Sequence, residues 1–181
     1  TGASGIAYAL RLLECLIGAG ERVYVMISPA GQMVAGMESD LKLTGRAMDM
    51  QRQLAERFGA APGQLSVFGN DQWTAPVASG SNPPDAMVVC PCTMGTLAAI
   101  AQGLADNLIE RAADVVLKEG RKLILVPRET PLSAIHLENM LRLARAGAVI
   151  LPPSPGFYHH PQTVADLVDF VVARVLDQLA I

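Results

Sequence analysis

Four short runs of this chain are apolar at almost every position: residues 23–27 (Val-Tyr-Val-Met-Ile), 86–90 (Ala-Met-Val-Val-Cys), 123–126 (Leu-Ile-Leu-Val) and 148–151 (Ala-Val-Ile-Leu). A strand with one face in water alternates apolar and polar residues. A run without alternation is covered on both faces, as in a parallel sheet between helices. Helical spacing fills the intervals, near residues 6–18, 46–58, 94–118 and 131–146. A last helix starts at Pro161 and carries Val164, Leu167, Val168, Val171, Val172, Val175, Leu176 and Leu179 at i, i+3, i+4, i+7 positions. This alternation predicts a single α/β domain over residues 1–181, a three-layer Rossmann-like sandwich around a parallel sheet with right-handed crossovers. Residues 69–84 break the rhythm. They are rich in Gly, Pro, Ser and Asn, hold the one tryptophan, Trp73, and are too long for a simple turn, which points to a functional loop or an oligomer contact.

Half of the residues are apolar and the mean hydropathy is positive, so a doubly covered sheet and a homo-oligomer surface are both expected. The net charge of −3 and the absence of a Lys/Arg-rich run exclude nucleic acid as the main ligand. No apolar stretch reaches the ~18 residues that span a bilayer. Cys15, Cys90 and Cys92 are odd in number, and Cys90-Pro91-Cys92 has neither zinc-knuckle nor thioredoxin-like spacing. A reducing cytoplasm is the expected location, with the cysteines packed rather than reactive.

In such a sheet, ligands bind beyond the carboxyl ends of the strands. The residues just after each run are therefore the informative ones. Gly2-Ala3-Ser4-Gly5 opens the first helix, where unpaired N–H groups suit an anion, although a serine N-cap explains the same residues. A loop of this kind normally comes after a strand, so a further N-terminal strand is expected. Ser28-Pro29, Pro91-Cys92-Thr93-Met94-Gly95-Thr96, Pro127-Arg128-Glu129-Thr130-Pro131 and residues 152–158 succeed the other runs. Thr93 reads equally as an N-cap. Arg128 and Glu129 read equally as a solvated ion pair, and the proline-rich loop before Tyr158 as a rigid turn. Arg111, Lys118 and Arg128 are expected to form a cationic pocket for a phosphate. His136 and His159-His160 have no carboxylate or histidine at matching spacing, so no metal site is expected.

Several strings, taken in order, resemble the UbiX-type flavin prenyltransferases. They are Thr1-Gly2-Ala3-Ser4-Gly5, Cys90-Pro91-Cys92-Thr93-Met94-Gly95-Thr96, residues 107–114 (Asn-Leu-Ile-Glu-Arg-Ala-Ala-Asp), Pro127-Arg128-Glu129-Thr130-Pro131, residues 135–140 (Ile-His-Leu-Glu-Asn-Met) and Pro155-Gly156-Phe157-Tyr158-His159. The resemblance runs almost end to end, and it implies a C-terminal tail beyond Ile181. It implies a flavodoxin-type fold, a dodecamer with sites at subunit interfaces, and FMN as the bound flavin. It also implies transfer of a dimethylallyl group from dimethylallyl phosphate to N5 and C6 of reduced FMN, the product passing to a UbiD-type decarboxylase, in many bacteria on the ubiquinone route.

By the same resemblance, Gly2, Ala3, Ser4, Ser28, Thr93, Met94, Gly95, Thr96 and Arg128 bind the flavin. Ser4 and Glu38 sit near N5 and C6; with Glu129 and Lys118 they make up the catalytic set. Arg111, Lys118, Glu129, Tyr158 and Arg174 hold the prenyl phosphate, and Trp73 walls the allylic cation. The chemistry is coherent: a departing phosphate needs fixed cations, and an allylic cation needs a dry aromatic wall. Flavin-dependent cysteine decarboxylases of the same superfamily are the nearest alternative. They carry a Pro-x-Met-Asn-x-x-Met-Trp string where this chain has Pro131-Leu132-Ser133-Ala134-Ile135-His136-Leu137. A non-enzymatic flavin carrier is a third reading; such carriers display a strongly acidic face, which a charge of −3 with a basic pocket does not match.

Overall fold

Both faces of the strands are covered, as the unbroken apolar runs require. The computed structural model describes residues 1–43 and 45–181. The elements, in order, are α1 (Ile6–Gly18), β1 (Val23–Met26), α2 (Pro29–Glu38), α3 (Ala47–Phe58), β2 (Leu65–Phe68), a 3₁₀ turn (Pro76–Ala78), β3 (Ala86–Cys92), α4 (Met94–Ala101), α5 (Leu108–Lys118), β4 (Lys122–Pro127), α6 (Ala134–Arg145), β5 (Val149–Ile150) and α7 (Val164–Leu179). Every strand pair is parallel: β1 with β2, and β3 with β4 with β5.

Successive strand residues point to opposite layers. Leu123 and Leu125 join Met87 and Val89 against Leu97, Val116 and Leu143 of α4, α5 and α6. Ile124 and Val126 pack instead against Leu12 of α1 and Val168, Val172 and Val175 of α7. β1 and β2 obey the same division, with Val25 and Val67 toward α1 and α3 and Tyr24 and Phe68 toward the first cluster. Residues 123–126 are each 0% exposed, which is why that run has no polar position. Each such side chain stabilises the fold by about 1.5–3 kcal/mol. The three-layer single-domain sandwich is therefore the observed architecture, with its described strands in two hydrogen-bonded parallel sheets, β1–β2 and β3–β4–β5, where one was expected.

Several boundaries differ from expectation. The long helix near 94–118 is two helices. Gly103 takes a left-handed φ of 73°, and its N–H and that of Leu104 close back onto Ile100 and Ala99. That is a Schellman stop, and Asn107 then caps α5 by accepting from Glu110 N–H. The last helix begins at Val164 rather than Pro161, because Thr163 and Asp166 form a capping box. The helix expected near 131–146 begins only at Ala134, behind the Ser133 cap. Strand β2 and helix α2 were not expected at all. Residues 69–85 prove to be the crossover from β2 to β3, with the 3₁₀ turn as its one helical element among the described residues; it is laid along α5, with Leu108 N–H donating to Asn70 O at 2.8 Å.

Candidate functional site

The opening loop is pinned to two strand ends. Thr1 donates its hydroxyl to Pro91 O at 3.1 Å and accepts Thr93 N–H at 2.9 Å. Gly2 approaches α2 so closely that a Cβ there would come within 2.5 Å of Ala30 Cβ. Ser28 caps α2 by accepting Gly31 N–H at 3.1 Å. Thr93 caps α4 by accepting Thr96 N–H at 3.2 Å, and its hydroxyl donates to Thr96 Oγ1 at 3.0 Å. The N-termini of α1, α2 and α4 thus meet around residues 1–5. Their caps are small, Gly5 on α1 and the hydroxyl-bearing Ser28 and Thr93 on α2 and α4, which suits a close approach to backbone N–H groups. The side chains of Ala3 and Met94 are buried, whereas Ser4 and Gly95 are exposed.

Glu38, the last residue of α2, lies across the start of α1. Its Oε2 accepts Gly5 N–H at 2.8 Å and Ile6 N–H at 3.0 Å. The anion seat expected at this helix end is therefore held by the chain's own carboxylate. Partial desolvation pushes the Glu38 carboxyl up. The Ser4 hydroxyl, the two backbone N–H groups and the charge of Arg128 outweigh it and leave the group below its ordinary value. Glu38 is ionised at neutral pH.

Arg128 comes directly after β4, and its N–H donates to Cys92 O at 3.2 Å. Its Nε is buried and has no hydrogen-bond partner among the described residues. Buried donors are rarely left unpaired. With the close Gly2 loop, that donor fits an acceptor-rich planar or phosphorylated ligand at this edge. Glu129 does not pair with Arg128, contrary to the solvated-pair reading; it turns back to accept Thr130 N–H at 3.1 Å. Burial pushes the Cys90 and Cys92 thiols up to about 12, so both are protonated packing residues.

The other expected site residues lie elsewhere on the protomer. The anticipated cationic pocket of Arg111, Lys118 and Arg128 does not form within one chain. Lys118 precedes β4 and Arg128 succeeds it, so that six-residue strand, roughly 20 Å at about 3.3 Å per residue, separates them. Arg111 and Lys118 instead share the outer face of α5, where Arg111 pairs with Asp114 at 2.8 Å and Lys118 with Glu119. Arg174 lines a groove of about 380 Å³ beside Phe170 and residues 149–152, and Tyr158 is 89% exposed near Phe170. Trp73 is half exposed on the β2–β3 crossover. Residue reading missed Thr1 as the tie between loop and strand, and missed the Gly5 and Ile6 N–H groups as the holders of Glu38. A hydroxyl directly before Gly-Ala-Ser-Gly was the available signal for the first.

No helix is long and apolar enough to cross a membrane among the described residues. The Flavoprotein family matches residues 1–176. The flavin prenyltransferase UbiX of Pseudomonas aeruginosa is 60% identical over 181 residues, covering 100% of this chain and 87% of that protein. The flavin prenyltransferase UbiX of Methanothermobacter thermautotrophicus is 46% identical over 186 residues, covering 100% and 87%. A crystal structure of AnUbiX in complex with FMN and dimethylallyl pyrophosphate superposes with a TM-score of 0.88 at 41% identity, covering 99% of this chain and 88% of that one. A dodecameric FMN-dependent UbiX-like decarboxylase from Escherichia coli does so with a TM-score of 0.88 at 44% identity, covering 100% and 92%. Fold, loop and full-length identity agree, and this chain belongs to the UbiX flavin prenyltransferase family.

Proposed function

We propose that the protein joins the dimethylallyl group of dimethylallyl phosphate to N5 and C6 of reduced FMN. The observation that carries this function is the meeting of the Ser4 hydroxyl, the ionised Glu38 and Arg128, with its buried Nε, beyond the strand ends. The AnUbiX structure with FMN and dimethylallyl pyrophosphate supports the ligand pair. Reduced FMN, when bound, supplies the nucleophilic N5 and C6 positions.

Gly2, Ala3, Ser28, Thr93, Met94, Gly95 and Thr96 hold the flavin through caps and backbone, and Arg128 brings the unpaired donor. Glu38, already charged, takes the proton that N5 loses as the donor's C–O bond breaks and phosphate leaves, with Ser4 as relay; in the ring closure the proton that C6 loses balances the one the allyl double bond gains. Arg111, Lys118, Glu129, Tyr158 and Arg174 grip the departing phosphate, and Trp73 shields the allylic carbons. Because these groups occupy separate faces of one protomer, the site closes between subunits of a homo-oligomer, a dodecamer like the Escherichia coli relative. The apolar side chains of Met33, Met37, Ile135, Leu137 and Leu141, all more than half exposed, are the surface such an assembly covers. The product serves a UbiD-type decarboxylase in the cytoplasm.

Anaerobic incubation with reduced FMN and dimethylallyl phosphate, followed by mass spectrometry of the extracted flavin, tests this. A flavin heavier by one C5 unit is expected. An unchanged mass with FMN bound contradicts it.

A further inference from the structure

We infer that Gly80 is a positioning residue for the phosphate end of the prenyl donor, acting through Lys118. The inference rests on the prenyltransferase function proposed above. Where the β2–β3 crossover passes α5, it meets both cations of that helix. Arg111 Nε donates to Ala78 O at 3.0 Å. Two residues on, the Lys118 ammonium and the Glu119 carboxylate pair with each other over Gly80. A Cβ built on Gly80 would run into Lys118 Nζ and Glu119 Oε1.

The glycine is not needed for its backbone. Its φ lies outside the left-handed region, so any residue fits the chain path there. The turn is braced on its own by Ser81 N–H donating to the Ser79 hydroxyl at 3.2 Å. What the position requires is the absence of a side chain. Both atoms crowded by a Cβ are the ends of flexible side chains, so an alanine displaces the ammonium and leaves the fold in place. The Lys118 side chain is 45% exposed, and Glu119 occupies one of the three ammonium donors, which leaves the others for an incoming phosphate. An exposed pair of this kind adds little stability. Its consequence is where the charge stands.

The test is steady-state kinetics of Gly80→Ala with dimethylallyl phosphate, with inorganic phosphate as competing anion. The kcat/KM for the donor is expected to fall about tenfold, mainly through KM, because a charge moved by about 1 Å grips the phosphate poorly. Inhibition by inorganic phosphate weakens by a similar factor, while FMN affinity and Tm stay at wild-type values. Gly18→Ala, at a helical glycine with open space around it, is the neutral control. Glu119→Gln, which keeps Gly80, is expected to give a two- to threefold loss of the same kind, on the order expected for an exposed charge. It decides the matter if Gly80→Ala misfolds.

Unchanged donor KM and phosphate inhibition in folded Gly80→Ala overturn the inference. So does a loss confined to Tm or FMN affinity. A wild-type protein that makes no C5-heavier flavin overturns the prenyltransferase function itself, and the role of Gly80 with it. An active wild type with an unaffected variant removes only the role of Gly80.

Discussion

The carboxyl edge of the sheet and the outer face of α5 both present arginine beside carboxylate, yet they are built in opposite ways. At the edge, Glu38 is fixed by two backbone N–H groups at 2.8 and 3.0 Å, and Arg128 has its Nε buried with no partner among the described residues. On α5, Arg111 and Lys118 pair with near neighbours in sequence, Asp114 and Glu119, with side chains 34% and 45% exposed. The first arrangement is preorganised by the fold, with its carboxylate fixed by backbone and its guanidinium Nε left unpaired. The second is held by side-chain pairs on one helix and by a single tie of Arg111 to the Ala78 carbonyl. Under the function proposed above, the first is the flavin half, completed within one chain, and the second the phosphate half, shared between subunits.

Substitutions on the two sides sharpen the contrast. The largest effect is expected for Glu38→Gln, which keeps the shape of the carboxylate and removes its proton-accepting charge. Turnover should fall about 100-fold or more with FMN still bound, as read by anaerobic single-turnover assay and flavin fluorescence. Loss of FMN instead would place Glu38 in the wrong half. Arg128→Ala comes next: FMN affinity should weaken by about tenfold or more, on the order of a charged hydrogen bond, as measured by calorimetry. An unaltered affinity would break the claim that the edge is the flavin half.

The smallest effect concerns pH. The fold holds the Glu38 carboxyl below its ordinary value of 4.5, so its capping of α1 is fully present above that value and is lost as pH falls through the lowered one. The stability difference between wild type and Glu38→Gln, no more than about 1 kcal/mol for a helix cap, should be constant from neutral pH to about 5. It should shrink only below the ordinary glutamate value. A difference that vanishes already near pH 6 would contradict the caged state of Glu38. Chemical denaturation at stepped pH measures it.

Much of this was legible in the residues. Runs such as 123–126 declare themselves because no polar residue survives where both faces are buried. The edge site was legible as a row of residues placed after strand ends, and the family resemblance supplied the roles proposed for them. Two elements were not. Helix α2 carries Gly31 and Gly36 and only a weak apolar stripe, so it is helical by packing over the opening loop, not by local preference. Strand β2, Leu65-Ser66-Val67-Phe68, is four residues long and gains its state from pairing with β1, a non-local contact. The break after α4 hid inside a continuously apolar stretch because its signal was one glycine. The separation of Lys118 from Arg128 was hidden for another reason. Residues ten apart look close in sequence, but a strand lies between them.

The division of the site is tested most directly by mixing subunits. Glu38→Gln and Lys118→Ala chains, each inactive alone, are coexpressed and the mixed oligomer is assayed for C5-heavier flavin. If the flavin half and the phosphate half come from different subunits, random assembly restores about a quarter of wild-type activity, because that share of interfaces pairs an intact Glu38 with an intact Lys118. Mixed oligomers as inactive as either parent would mean that both residues serve one site from one chain.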